Sequence, residues 1–178
     1  MRAWSFWEPL NRAELPALEW VEATRFGGGV ERATLLITRA GEHGATWYAI
    51  FALGAIADSR HRGRWLGAAG AVTASYFGGL IVKLLLRRRR PALATLDTGS
   101  QLSFPSLHSV TSFAAARMLS QLAPRPFGAL LSYLLAFAFA GSRLHFCVHY
   151  PSDLIAGAAI GDLAGRATVR RWSSADRT

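Results

Sequence analysis

Residues 65–86 read WLGAAGAVTASYFGGLIVKLLL and carry a single charge, Lys83. A helix needs about 20 predominantly apolar residues to cross a hydrocarbon core. This stretch therefore reads as a membrane span, and that reading decides the fold class. Working outward, three more stretches are long and apolar enough or nearly so, at 106–122, 126–142 and 150–169. A fifth, 45–57, is short and needs help from 41–44 or a locally thinned bilayer. The expectation is an all-α, polytopic membrane helical bundle of about five transmembrane helices in one domain. The composition agrees, with 51% hydrophobic and only 17% charged residues. Gly157, Gly161 and Gly165 recur every four residues, so one face of the last helix is a flat seam suited to close helix packing in lipid. Arg117 and Asp162 fall inside spans, where an unpaired charge is costly; pairing in the bundle and snorkelling to water both remain open.

The first forty residues differ. Residues 1–10 contain no continuous apolar run, so no cleavable signal peptide is expected and the first span directs insertion. Residues 13–24 set Leu15, Leu18 and Val21 against Glu14, Glu19 and Glu22, and Trp4, Trp7 and Trp20 favour an interfacial position. The expected organisation is thus an amphipathic interfacial segment at 1–40, a transmembrane bundle at 41–170 and a basic cytoplasmic tail at 171–178.

A net charge of +9 would suggest nucleic acid in a soluble protein. Here Arg60, Arg62, Arg64, Arg125, Arg166, Arg170 and Arg171 flank apolar spans, as the positive-inside rule requires, and no nucleic-acid partner is expected. The single Cys147 excludes an intramolecular disulfide. It is not a cysteine-phosphatase nucleophile either, since the position six residues on holds Asp153 rather than arginine. His145, Cys147 and His149 alternate, but alternation without a fourth ligand is a poor metal signature. No metal and no cofactor are expected. His43 beside Glu42, and His61 in a basic loop, read as surface residues.

Three blocks carry the chemistry. Lys83, the only lysine in a chain with nineteen arginines, is followed after six residues by Arg90-Pro91. Pro105-Ser106-Leu107-His108 comes next, then Ser142-Arg143, His149 and Asp153. The spacing of the last block alone would arise by chance in about one chain in a thousand of this length. His149 and Asp153, four apart, share a helix face, and a carboxylate on one imidazole nitrogen leaves the other free to attack phosphorus. Pro105 and Ser106 look like a helix start with Ser103 as N-cap, and such a start is an anion site. His108 is suited to exchange a proton with a leaving oxygen. Lys83, Arg90 and Arg143 supply permanent charge for a phosphoryl group's equatorial oxygens. Arg87, Arg88 and Arg89 read as a headgroup or substrate-steering patch, or as a solvated charge run, so Arg88→Ala is expected to change activity mildly.

The three blocks resemble the tripartite signature of the type 2 phosphatidic acid phosphatase family, whose soluble relatives include vanadium haloperoxidases. The resemblance spans Lys83 to Asp153. It implies that His149 is the nucleophile forming a phosphohistidine, that Asp153 orients it, that His108 is the general acid, and that Lys83, Arg90, Ser106, Leu107 and Arg143 bind phosphate. The family's second block usually reads Pro-Ser-Gly-His, and Leu107 replaces that glycine, which alters the shape of the phosphate pocket. The expected activity is metal-independent hydrolysis of a lipid phosphomonoester or pyrophosphate. Phosphatidate, phosphatidylglycerol phosphate, polyprenyl (pyro)phosphates and prenyl-linked sugar phosphates all remain as substrates. Compactness, arginine bias and Gly41-Glu42-His43 are similar to small actinobacterial members proposed to act on decaprenylphosphoryl phosphoribose. A phosphotransferase using the same intermediate and a non-catalytic lipid-binding protein are the alternatives, and a homo-oligomer is left open. Alternating five spans puts all three blocks on one side of the membrane, and the arginine-rich loops make that side external.

Overall fold

The computed structural model describes residues 5–123 and 126–175 and is all-helical, with no strand among the described residues. Trp4, Arg125 and the last three residues of the tail lie outside them. Seven α-helices follow in order: α1 Glu8–Ala23, α2 Gly29–Ala40, α3 Ala45–Ala57, α4 Arg62–Leu86, α5 Leu107–Leu122, α6 Phe127–His145 and α7 Pro151–Ala175. Two stretches, Ser59–Leu86 and Phe127–His145, are long and apolar enough to cross a membrane by length and composition, against the five expected.

α3 has only 13 residues and α7 carries several charges, while α5, with 16 residues, sits at the centre and packs on α4, α6 and α7. An unbroken run from Ser109 to Ala116, together with Met118 and Ser120, is buried. A helix enclosed by protein has no need to be apolar all round. It can carry Ser109, Thr111, Ser112 and Ser120, and Ser112 accepts a hydrogen bond from Trp47 Nε1 at 3.1 Å. The outer helices show the complementary pattern. Phe77, Ile81, Leu85, Leu131, Phe137, Ile155 and Leu163 are more than half exposed, forming an apolar exterior too large for a soluble monomer.

The glycine seam of α7 lies against α5. A Cβ at Gly157 would stand 2.6 Å from the Ser106 carbonyl oxygen, one at Gly161 would collide with the carbonyl of Val110, and one at Gly165 would meet the Ala114 carbonyl at 2.9 Å. Backbone cannot yield as a flexible side chain would, so this interface requires glycine. Gly161→Ala is expected to destabilise the protein by about 1–3 kcal/mol, the usual cost of overpacking. Gly70→Ala, with open space around it, should be neutral or stabilising by up to about 1 kcal/mol. Thermal unfolding of both variants in detergent checks the contrast.

Asp162 pairs with Arg166 at 2.5 Å and accepts from Tyr133 at 3.3 Å, so its partner lies on its own helix. In α1 the expected division of faces changes. Leu18 is fully buried but Leu15 is 39% exposed, while Glu14 turns inward to Arg88. Trp7, Asn11, Glu14 and Leu18, spaced four, three and four, make the inward face. Leu18 joins Cys147, Tyr150, Val21, Leu93 and Leu144 in a small cluster under the loop between α6 and α7.

Candidate active site

The ends of three helices meet around one cavity of about 270 Å³, lined by residues that include Lys83, Arg90, Leu107, His108, Arg143 and His149. Lys83 comes from the last turn of α4, Leu107 and His108 from the first turn of α5, and Arg143 from the last turn of α6. Three blocks far apart in sequence therefore converge.

Arg87, in the left-handed conformation (φ 50°), ends α4. The chain then runs extended: the Ser103 N–H donates to the Arg88 carbonyl at 2.7 Å, the Arg90 N–H donates to the Gln101 carbonyl at 3.1 Å, and Arg89 bridges Leu102. Successive side chains of extended backbone point to opposite sides, so Arg88 and Arg90 face inward together and Arg89 faces out. The expected steering patch is thus divided. Arg88 is fully buried and donates to Asp153 Oδ1 at 2.7 Å and to Glu14 Oε2 at 2.6 Å. Its guanidinium stacks 3.9 Å from the Tyr150 ring centroid and 4.9 Å from that of Trp7. Mild consequences for Arg88→Ala are no longer expected, because its removal would leave a buried carboxylate without its cation.

Arg90 donates from Nη1 to the Val148 carbonyl at 2.5 Å and contacts His149 Nε2 at 3.2 Å. A guanidinium can only donate. His149 Nε2 therefore presents its lone pair, and the ring proton sits on Nδ1, 3.5 Å from Asp153 Oδ2. That separation is longer than an established hydrogen bond, and Nδ1 makes no other. Asp153 Oδ2 also accepts from the Tyr150 N–H at 2.9 Å and from the Ser103 hydroxyl. Burial holds the His149 imidazole far below its usual range, at about 3; Asp153 opposes the shift, and Arg90 and Lys83 reinforce it. His149 is accordingly neutral at physiological pH. Burial also lowers Arg90, to about 10, which leaves it charged.

Lys83 Nζ donates to the carbonyls of Leu102 and Ser103 at 3.1 and 2.8 Å, tying α4 to the second block. Ser106, not Ser103, is the N-cap of α5: its hydroxyl accepts from the Ser109 N–H at 3.5 Å. Ser103 is instead committed to Asp153. Ser106 is fully buried and does not line the cavity, so the hydroxyl expected to reach phosphate faces the helix it caps. Leu107 does line it, and packs where a Cβ on Gly79 would collide.

Thr38, on α2, is a residue that sequence reasoning missed. Fully buried, it accepts from Arg143 Nη1 through its hydroxyl at 2.8 Å, and its carbonyl contacts His108 Nε2 at 3.2 Å. A carbonyl only accepts, so Nε2 carries the His108 proton at rest and Nδ1 is left for exchange with a bound group. Arg143 Nε is buried with no partner, leaving donor capacity on that guanidinium. Glu42 and His43 are exposed, as expected for surface residues, yet both line the cavity, together with Asp97, Thr98 and Ser100. His145, Cys147 and His149 do not gather: among the described residues no group of three His, Cys, Asp or Glu side chains could hold a metal ion. Cys147 is buried against the Leu18 carbonyl.

Comparison with known proteins accords with this geometry. The profile of the PAP2 superfamily matches residues 64–176. A decaprenylphosphoryl-5-phosphoribose phosphatase of Mycobacterium tuberculosis is 40% identical over 129 residues, covering 70% of this chain and 71% of the relative. The enzyme of the same name from Mycolicibacterium smegmatis is 35% identical over 151 residues, covering 82% of each. Among solved structures, a transmembrane PAP2 type phosphatidylglycerolphosphate phosphatase from Bacillus subtilis superposes with a TM-score of 0.80 at 19% identity, covering 93% of this chain and 87% of the other.

Proposed function

The chain belongs to the PAP2 superfamily, and from that premise we propose that it is an integral-membrane lipid phosphate phosphatase working through a phosphohistidine at His149. The observation that carries the reading is the meeting of Lys83, Arg90, Arg143, His108 and His149 on one cavity. Binding alone needs the cations but not a neutral histidine whose lone pair faces the cavity, with a carboxylate behind it.

The steps follow from the side chains. A phosphate monoester enters, and Arg90 transfers its hydrogen bond from His149 Nε2 to a phosphate oxygen. Arg143 and Lys83 take others. The Nε2 lone pair forms the N–P bond as the bond from phosphorus to the lipid oxygen breaks. The phosphate's own proton first passes to the bare Nδ1 of His108, which hands it to that oxygen, and the lipid leaves as its alcohol. The imidazolium formed at His149 draws its Nδ1–H towards Asp153 Oδ2, which stabilises the charge. Water then attacks the phosphohistidine, His108 takes up the water's proton, and inorganic phosphate leaves. Arg90, Arg143 and Lys83 stabilise charge on the equatorial oxygens, the main source of catalysis in phosphoryl transfer.

Helices α3 to α7 form the five-span bundle, with α5 tolerating only 16 residues because protein surrounds it. The cavity opens on the external face. Arg60, Arg62, Arg64, Arg166, Arg170 and Arg171 sit at the other end of the same helices, which favours a cytoplasmic position there. Arg88, paired and buried, drops out of the opposing count. Residues 5–40 form the segment lying along the bundle and the interface.

For substrate, the reading is a prenyl-linked sugar phosphate of the decaprenylphosphoryl-5-phosphoribose type. Two relatives bearing that name support it, as do Glu42, Asp97, Thr98 and Ser100 on the cavity wall, polar groups that can accept or donate to sugar hydroxyls. Release of phosphate in detergent, compared across that lipid, phosphatidate, phosphatidylglycerol phosphate and a polyprenyl pyrophosphate, tests the assignment. The prenyl sugar phosphate should be turned over fastest; preference for phosphatidate would overturn it. Activity should persist in EDTA, and vanadate should inhibit by forming a trigonal-bipyramidal adduct at His149. A strict requirement for added Mg²⁺ would count against the mechanism.

A further inference from the structure

Asp153 is held from behind by a chain of charges that begins on α1. Glu14 Oε2 accepts from Arg88 Nη2 at 2.6 Å, and Arg88 Nη1 donates to Asp153 Oδ1 at 2.7 Å. Ser152, beside Asp153, is bound to the same pair: its N–H donates to Glu14 Oε1 at 2.6 Å, its hydroxyl to Glu14 Oε2 at 2.8 Å, and Arg88 Nη1 reaches its oxygen at 2.6 Å. Asn11 Oδ1 accepts from Arg88 Nε at 2.9 Å. Trp7 and Tyr150 cover the guanidinium faces. Arg88 therefore has no open side, does not line the cavity and cannot touch substrate.

We infer that Glu14 and Arg88 are positioning residues for the phosphoryl-transfer site, with Glu14 keeping Arg88 on a single oxygen of Asp153. A guanidinium facing one carboxylate tends to close on both its oxygens as a two-pronged pair. Here Glu14 holds Nη2, so Arg88 reaches Asp153 through Nη1 alone. Oδ2 is left to Ser103, Tyr150 N–H and His149. The distance from His149 Nδ1 to Oδ2 is already 3.5 Å, so there is little margin before the imidazole loses its orienting carboxylate. The first helix, outside the matched residues 64–176, thus belongs to the active site. This inference rests on Asp153 acting through His149.

The test is a double-mutant cycle on purified full-length protein, read as kcat and KM. Glu14→Gln keeps the side chain's size and an oxygen for Ser152 but removes the ion pair. It should lower kcat roughly tenfold, by analogy with the low end for outer partners of metal-bound histidines, with KM nearly unchanged. Arg88→Lys, which keeps the charge but loses the planar fork, should lower kcat by roughly 10²-fold, at the upper end of the same range. In an Asp153→Asn background Glu14→Gln should cost nothing more, because the group it acts through is gone. An equal loss in both backgrounds, or a lowered melting temperature with kcat intact, would overturn the inference and leave the roles of His149 and Asp153 standing. Full activity of Asp153→Asn itself would instead remove the premise. Rapid-quench trapping of the phosphoenzyme adds a readout that stability does not move: Glu14→Gln should slow its formation.

Discussion

His149→Ala is expected to abolish turnover on every phosphate ester offered, while the protein folds and binds vanadate only weakly. The argument is geometric. Nε2 lies on the cavity with a carboxylate behind its ring, and its lone pair is defined by the guanidinium facing it. Burial keeps the ring neutral, so the nucleophile needs no prior deprotonation at physiological pH. Asp153→Asn should retain trace activity, with kcat lower by about 10⁴-fold, as when an orienting aspartate loses its charge in a hydrolytic triad. Acid-quench experiments with radiolabelled substrate should trap a phosphoenzyme in the parent protein and none in His149→Ala. A labelled phosphoenzyme in His149→Ala would move the nucleophile elsewhere.

His108→Ala should separate substrates by the quality of their leaving group. A lipid alkoxide departs poorly without a proton, whereas p-nitrophenolate is stable as an anion at neutral pH. The loss should be about 10²–10⁴-fold on a lipid phosphate monoester, the usual worth of general acid catalysis. It should be much smaller on p-nitrophenyl phosphate, provided phosphohistidine formation limits both. The hydrogen bond from Nε2 to the Thr38 carbonyl adds a condition, since it leaves Nδ1 as the working nitrogen. Equal losses on both substrates, with the limiting step confirmed by rapid quench, would reassign His108 from proton donor to phosphate ligand.

Much of this site was legible in the chain, because its chemistry demands particular residue types at particular spacings. His149 and Asp153, four apart, face one another because Pro151 opens α7 between them. Lys83 and Arg143 sit in last turns, and His108 in a first turn, where helix ends meet. The arginine run at 87–90 was not legible as four different residues. A charge run looks uniform until the backbone geometry is known; an extended segment paired through Arg89 and Leu102 then sends Arg88 inward beside Arg90. Glu14 was misread for a related reason. On a helical wheel it falls among the polar positions of α1, and only the presence of a buried guanidinium opposite makes the inward position favourable. Thr38 carries no sequence signal at all, since its backbone carbonyl is half of what it contributes.

The sequence by itself determined the all-helical class, a flat face of Gly157, Gly161 and Gly165 on the last helix, and the resemblance of the three blocks to a known family. The first two rest on local composition and periodicity, and the third on the residue types and spacing of the blocks, all of which a reader of the chain can count. The tertiary structure decided that α5 is enclosed and can therefore be short and rich in hydroxyl groups. It also decided that Ser106 caps a helix while Ser103 serves Asp153, and that α1 supplies a carboxylate to the site. Those outcomes depend on which groups are brought within about 3 Å of one another, the range in which hydrogen bonds operate. No spacing along the chain encodes that, because a buried charge is placed by the partner that offsets its desolvation, and here Glu14 and Arg88 lie 74 residues apart.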